Sequence, residues 1–131
     1  MRQIKFRMWN KEIKEMYDVG LINFQQRLIF MKHYEGYTQS SFALEDVELM
    51  QFTGLHDKNG KEIYKGDIAK VEKIDLAQII WDEDRMAWGI KPINDFYFDS
   101  PLLADNTDLE LEVIGNIYDN PELLERSSNG D

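Results

Sequence analysis

The feature that most narrows the folds open to this chain is a two-residue alternation of side chains, cut short every few positions by turn residues. The opening Ile4-Lys5-Phe6-Arg7-Met8-Trp9 sets the pattern, apolar then charged. Such alternation sends successive side chains to opposite faces of a half-buried strand. Asn10-Lys11 interrupts the run and Ile13-Lys14-Glu15-Met16-Tyr17 resumes it. Because Asn tolerates positive φ, a hairpin centred on Asn10-Lys11 is expected. Asp18 and Gly20 read as a turn. Leu21 to Met31, with Ile22, Phe24, Ile29 and Phe30, reads as one or two strands. Lys32 to Ser41 is polar and loop-like. Ser40 or Ser41 ahead of Phe42-Ala43-Leu44-Glu45-Asp46-Val47 predicts a short capped helical turn.

The second half repeats the grammar. Met50-Gln51-Phe52-Thr53 is strand-like and is expected to stop at Gly54. Asp57-Lys58-Asn59-Gly60-Lys61 is a polar turn with Asn-Gly near its tip, a strong short-range hairpin signal. Glu62-Ile63-Tyr64 leaves that turn, Gly66-Asp67 re-aims the chain, and Ile68 to Val71 forms the next strand. Ala77–Trp81 and Met86–Ile90 flank Asp82-Glu83-Asp84-Arg85 as a second hairpin with a charged tip. A short strand is expected at Phe96-Tyr97-Phe98, ending at Pro101, with a polar loop over 99–108. Leu109, Leu111 and Val113 share one face of a further strand; Asp108, Glu110 and Glu112 share the other. Ile114 and Tyr118 reverse that parity, which places a bulge or a close backbone approach at Gly115. Asn120-Pro121-Glu122 has an N-cap residue, Pro at the first helical position and early acid, predicting a short helix over 120–125.

Seven to nine short strands with little helix predict a mostly β fold, an antiparallel sandwich or a small, partly open barrel with a short C-terminal helix. At 131 residues the chain suits a single domain, taken here as 1–126 with a frayed tail over 127–131. Seven Phe, six Tyr and three Trp are too many for a disordered segment of this size. The longest uninterrupted apolar run, Leu28-Ile29-Phe30-Met31, falls far short of the ~20 residues that span a bilayer. The opening residues lack the apolar core of a signal peptide. Cysteine is absent, which removes disulfides, thiolate metal sites and a cysteine nucleophile. The expectation is a soluble, intracellular protein.

Charge is unevenly placed. The formal net charge is −10; residues 1–74 carry 12 Lys and Arg against 11 Asp and Glu, and residues 75–131 carry 3 against 14. The second half therefore holds a net −11. A nucleic-acid grip needs clustered cations to displace counterions, so direct binding to phosphate backbones is disfavoured. Lys5, Arg7, Lys11 and Lys14 would protect the opening strand if it lay at a sheet edge. They would also complement the Asp108, Glu110 and Glu112 face, within one molecule or between two. Exposed charges are screened beyond roughly 8 Å at physiological salt, so a homo-oligomer built that way would loosen as salt rises.

Candidate chemistry is sparse. His33 and His56 fall in expected loops with no second nitrogen ligand nearby, so no metal site is assigned. Ser40, Ser41 and Thr53 lie in no Gly-x-Ser-x-Gly elbow. Asp82-Glu83-Asp84 lacks the ligand spacing of a calcium loop and reads as a solvated tip. Gly54, Gly60 and Gly66 are too far apart for a nucleotide fingerprint. Trp9, Trp81 and Trp88 read as packing residues. Glu110 and Glu112 on one strand face lie ~7 Å apart, a spacing an acid–base pair can use. Alternating Glu is also the ordinary way to wet an outer face. No catalytic residue or cofactor is assigned.

Three blocks carry a family resemblance. Leu49-Met50-Gln51-Phe52-Thr53-Gly54-Leu55, Asp57-Lys58-Asn59-Gly60-Lys61-Glu62-Ile63-Tyr64 and Gly66-Asp67-Ile68 form the central one. Lys5-Phe6-Arg7-Met8-Trp9-Asn10 opens the chain, and Glu112-Val113-Ile114-Gly115-Asn116-Ile117-Tyr118-Asp119-Asn120-Pro121-Glu122-Leu123-Leu124 closes it. In this order they resemble the YopX family of phage and prophage proteins, although that family usually has a small residue at the Met8 position. The resemblance implies a single mostly-β domain, encoded by a phage or prophage and acting in a bacterial cytoplasm. It implies no activity, because the family is one of unknown function. Its motif residues Trp9, Gly54, Asp57, Asn59, Gly60, Gly66, Asp67, Gly115, Asn116, Tyr118, Asn120 and Pro121 are expected to be structural.

Three functions remain in contention. A non-enzymatic protein-interaction module, binding a host or phage partner, comes first. An acidic mimic that occupies a host DNA-binding protein comes second, and a hydrolase using the paired carboxylates third.

Overall fold

The computed structural model describes residues 3–32, 40–72, 74–93, 103 and 111–126. The chain divides into two compact units, Gln3–Gln51 and Phe52–Asp131. Ten strands, one 3-10 turn and one short helix occur among the described residues.

In the first unit, β1 (Phe6–Asn10), β2 (Glu15–Asn23), β3 (Leu28–Met31), β4 (Ser41–Ala43) and the start of β5 (Val47–His56) pair antiparallel in the order β4-β3-β2-β1-β5. Met8 faces Tyr17 on one side and Leu49 on the other, and Ile22 faces Ile29. Alternation thus gathers Met8, Ile29 and Val47 into one buried cluster, with half-buried Tyr17, Val19, Phe42 and Leu44 around it. The first turn spans four residues rather than two. The Asn10 side-chain oxygen accepts from the Glu12 and Ile13 N–H groups at 3.0 and 3.1 Å, and Lys14 takes φ 56° to re-enter the sheet.

Several sequence expectations fail here for identifiable reasons. Asp18 and Gly20 make no turn, because β2 runs straight through them with a register shift between Val19 and Leu21. A Cβ at Gly20 would come within 3.0 Å of the Lys32 Cα, so the glycine serves a close backbone approach inside the strand. The chain reverses later, at Phe24 to Arg27, where Arg27 has φ 58°. Ser40 and Ser41 cap no helix. Ser41 opens β4, and the 3-10 turn Leu44–Asp46 follows from Ala43 with no side-chain cap. The basic opening strand is not at an edge either; β1 lies between β2 and β5, so its charges protect no edge.

The second unit takes the end of β5 and adds β6 (Glu62–Tyr64), β7 (Asp67–Val71), β8 (Asp75–Asp82), β9 (Ala87–Pro92), β10 (Glu112–Asn116) and α1 (Glu122–Arg126). Gly54 does not end β5; at φ 88° it sits in an irregular stretch between Phe52 and His56, after which pairing with β6 resumes. The other sheet runs β10-β7-β8-β9, antiparallel throughout. Each strand order has two distinct ends, so neither sheet closes into a barrel. Val113 faces Ala69, Ala69 faces Ala77, and Ile79 faces Ile90, which lines one face with small and branched side chains. Together with Ile63, Val71, Leu103 and Leu111 they form the core of this unit. Trp81 and Trp88 face each other across the β8–β9 ladder as an edge-to-face pair, centroids 5.0 Å apart. The strand expected at Phe96–Phe98, the loop over 99–108 apart from the buried Leu103, and the frayed tail over 127–131 lie outside the described residues.

Candidate binding cleft

The site grows from one buried carboxylate. Asp57 follows β5 and opens the hairpin to β6. Its Oδ1 accepts the N–H of Asn59 and of Lys61, both at 2.9 Å, in an Asx turn closed by Gly60 at φ 83°. Its Oδ2 reaches 56 positions along the chain to accept the Val113 N–H at 2.9 Å. Next to it, the Lys58 N–H donates to the Leu111 carbonyl at 2.9 Å. The hairpin therefore behaves as a fragment of strand laid against β10. Burial alone would raise the Asp57 carboxyl, but three backbone N–H donors and the nearby Lys61 charge outweigh it and hold the group below its ordinary value.

A second set of bonds fixes the far end of β10. Gly66 at φ 90° donates its N–H to the Ile79 carbonyl and accepts from the Ile117 N–H, each at 2.9 Å. Asp67 is fully buried, and its Oδ2 accepts the Tyr64 N–H at 2.8 Å. The Asn116 Oδ1 accepts from the Tyr118 and Asp119 N–H groups, and its Nδ2 donates to Asp119. Gly115 lies at the β10 register shift, and a Cβ there would fall 2.4 Å from the Asn120 Oδ1. That oxygen accepts the Asn116 N–H at 3.2 Å, so Asn120 points back to the strand rather than capping α1. The Asn120 carbonyl instead accepts the Leu123 N–H. Pro121 directly precedes the helix.

Eleven of the twelve motif residues thus fall in the second unit; Gly54 lies within β5, and the other ten lie around β10 and the turns that hold it. Trp9 belongs to the first, buried between Met16 and Glu48 on the neighbouring strands.

The same clamp builds a cleft. Lys58 directly follows Asp57 and Glu112 directly precedes Val113, so the Asp57–Val113 bond sets those two side chains together, with Lys58 Nζ 3.5 Å from Glu112 Oε2. Glu112 also faces Lys70 across the ladder. With Glu72, Asp75, Val71 and Ile74 they line an open cavity of about 500 Å³, a volume in the range of ligand sites. Its wall carries both signs of charge and is lined also by the apolar Val71 and Ile74. Of the expected acidic face, Glu112 is in this cleft, paired with Lys58; Asp108 and Glu110 lie outside the described residues. The two-carboxylate arrangement therefore has only one placed member, and that one is held by a lysine.

The remaining polar candidates take structural places. Thr53 Oγ1 donates to the Ile63 carbonyl at 2.7 Å and accepts the Leu55 N–H. His56 meets the Phe52 ring edge-on, centroids 5.7 Å apart, and His33 lies outside the described residues. Asp82 accepts the Asp84 and Arg85 N–H groups and pairs with the Arg85 guanidinium. No cluster of three metal-ligating side chains occurs among the described residues, and no helix among them is long and apolar enough to cross a membrane. Sequence reasoning missed Lys58, Lys70, Glu72 and Asp75 as a group. Their spacing carries no local signal, because the β7–β10 register and the Asp57 bond bring them to Glu112.

A search of curated proteins finds no match. Among solved structures, the chain is similar to protein EF1440 from Enterococcus faecalis, with 28% identity, a TM-score of 0.65, and 95% of this chain and 99% of that one covered. It is also similar in fold to protein yopX from Bacillus subtilis, with 18% identity, a TM-score of 0.61, and 95% and 97% covered. The family model described as YopX protein matches residues 5–125. The chain belongs to the YopX family.

Proposed function

We infer that this is a phage- or prophage-encoded protein-interaction module that works in the cytoplasm of a bacterial host and takes a polypeptide segment of mixed charge. The observation that carries this reading is the open cleft at Lys58, Lys70, Glu72, Asp75 and Glu112. An open wall of both signs, lined also by Val71 and Ile74, suits a peptide with alternating charge. Four ion pairs, Lys11–Glu48, Arg27–Glu45, Lys58–Glu112 and Arg85–Asp82, intersperse acid with base among the described residues. The mimic reading draws on the net −11 of residues 75–131 and stands second.

The experiment is capture from phage-infected host lysate by the wild-type chain and by a Lys70→Glu, Glu72→Lys double variant. Both residues are exposed and neither takes part in the Asp57 clamp. A partner held by the wild type and lost by the double variant supports the cleft reading. Capture that survives the double variant but is released by duplex DNA favours the mimic. Light scattering of the purified chain at low and high salt tests self-association: a species larger than a monomer that loosens as salt rises supports a homo-oligomer, and a monomer at both salts counts against it.

A further inference from the structure

We propose that Asn59-Gly60 is a self-modification site, at which loss of the Asn59 amide to isoaspartate loosens the Asp57 hold on β10. The chemistry needs an asparagine followed by a residue whose backbone nitrogen can reach the side-chain carbonyl, and glycine hinders that approach least. The Gly60 nitrogen bonds to the Asn59 Cγ, ammonia leaves carrying the proton that nitrogen gives up, and a cyclic imide forms. Water then opens the ring at either carbonyl. The net change is Asn plus water to Asp or isoaspartate plus ammonia, with no other reactant. Asparagine is one of the thermolabile residue types for this reason.

The location meets these needs. Asn59 and Gly60 are both exposed at the tip of the hairpin. Gly60 has φ 83°, and a Cβ placed on it would meet nothing within 4 Å, so the surroundings of its Cα, next to the attacking nitrogen, are open. One bond opposes the attack: the Gly60 N–H donates to the Asp57 carbonyl at 3.0 Å and must release it first.

The consequence is specific to this fold. The tip is tied to Asp57 four times, through Asn59 N–H and Lys61 N–H to Oδ1, Gly60 N–H to the carbonyl, and Asp57 N–H to the Lys61 carbonyl. Isoaspartate routes the main chain through the former side chain, lengthening the turn by one atom. It also sets a new carboxylate beside one already held by three donors. Both changes act on the group whose other oxygen holds the Val113 N–H. Modification at an exposed tip is thereby transmitted to the strand that carries Glu112 and one wall of the cleft.

The test ages the full chain at mildly alkaline pH, separates the more acidic species by ion exchange, and maps it for isoaspartate. Asn129-Gly130, the second Asn-Gly of the sequence, is scored separately. Isoaspartate at position 59 is expected, with hydrogen exchange at the Val113 amide about tenfold or more faster than in unmodified protein, as the loss of a charged hydrogen bond requires. Asn59→Gln aged in parallel should keep its protection at Val113. An Asn59 that retains its amide, whatever Asn129 does, overturns the proposal. So does isoaspartate at 59 with unchanged exchange at Val113.

Discussion

The two units are built from the same antiparallel grammar and are held in different ways. In the first, a buried cluster of Met8, Ile29 and Val47 sits among half-buried neighbours, Trp9 and Met50 are buried outside it, and the Asn10 side chain makes its bonds within three residues. In the second, nine buried residues form the core, and Asp57 and Gly66 each tie together segments that are distant in sequence. A ladder with half-exposed faces distributes its stability among many small contacts. A core closed by polar clamps concentrates it at a few positions, because a buried donor left without its partner loses the full value of solvation.

That difference is open to attack at matched positions, beginning with the cores. Ile79→Ala should cost ~4 kcal/mol, since its neighbours are themselves fully packed, whereas Ile29→Ala should cost ~2 kcal/mol because half-buried neighbours can close on the gap. Denaturant melts of the two variants measure this, and equal losses would erase the distinction.

The turn residues come next. Asp57→Ala should cost ~3 kcal/mol and expose the Val113 amide to exchange, because three backbone donors lose a charged acceptor. Asn10→Ala, which removes only local bonds, should cost ~1 kcal/mol. If the two variants melt alike, the long-range bond contributes little and the clamp account fails.

Each unit also has a bulge glycine, and here the obstacle differs. Gly20→Ala and Gly115→Ala should each cost ~1–2 kcal/mol. A methyl at 115 meets the Asn120 Oδ1 and Cγ at 2.4 and 2.8 Å, so adding Asn120→Ala should recover most of the Gly115→Ala cost relative to Asn120→Ala alone, leaving only the tight 3.2 Å approach to the Asn120 Cβ. At Gly20 the nearest atoms are the Lys32 and Met31 backbone, and no side-chain truncation should rescue that variant. A double-mutant cycle with full additivity at 115 would contradict the contact.

The smallest effects are in pH dependence, and they have opposite signs. Asp57 is held below its ordinary 3.8 by its three backbone donors and Lys61, against the opposing push of burial. A group lowered on folding contributes stability above its unfolded value and loses it as pH falls through the folded one. Acid melts below 3.8 should therefore weaken the wild type more steeply than Asp57→Asn. Tyr17 is raised above 10.0, first by donating to the Glu15 carboxylate at 2.8 Å, then by burial and the Glu15 charge. Its contribution is present below 10.0 and lost as pH rises through the folded value, and Tyr17→Phe should flatten that alkaline limb. Being partly exposed, it should move the melt only slightly. Parallel limbs in wild type and variants would remove both groups from the account.

Much of this protein is legible before any coordinate. Alternation and turn chemistry are local, so the sequence determines the β class, the Asp57–Lys61 hairpin and the β8–β9 hairpin around Asp82 to Arg85, along with the short helix after Pro121. Parity also marks Gly115 as a bulge or a close backbone approach, since Ile114 and Tyr118 fall out of step with Leu109, Leu111 and Val113, and the register shift between Val113 and Gly115 lies there. Glycine is ambiguous by the same local logic: Gly20 and Gly54 look like stops, and both lie within strands. What a glycine does depends on which backbone or side chain approaches it, and those atoms come from distant segments. The cleft is the extreme case. Lys58, Lys70, Glu72, Asp75 and Glu112 carry no shared spacing, and the reach of the Asp57 carboxylate to Val113 is a tertiary bond between groups 56 positions apart. Sequence sets which residues alternate and where the chain can reverse; only the register between non-neighbouring strands decides which charges meet.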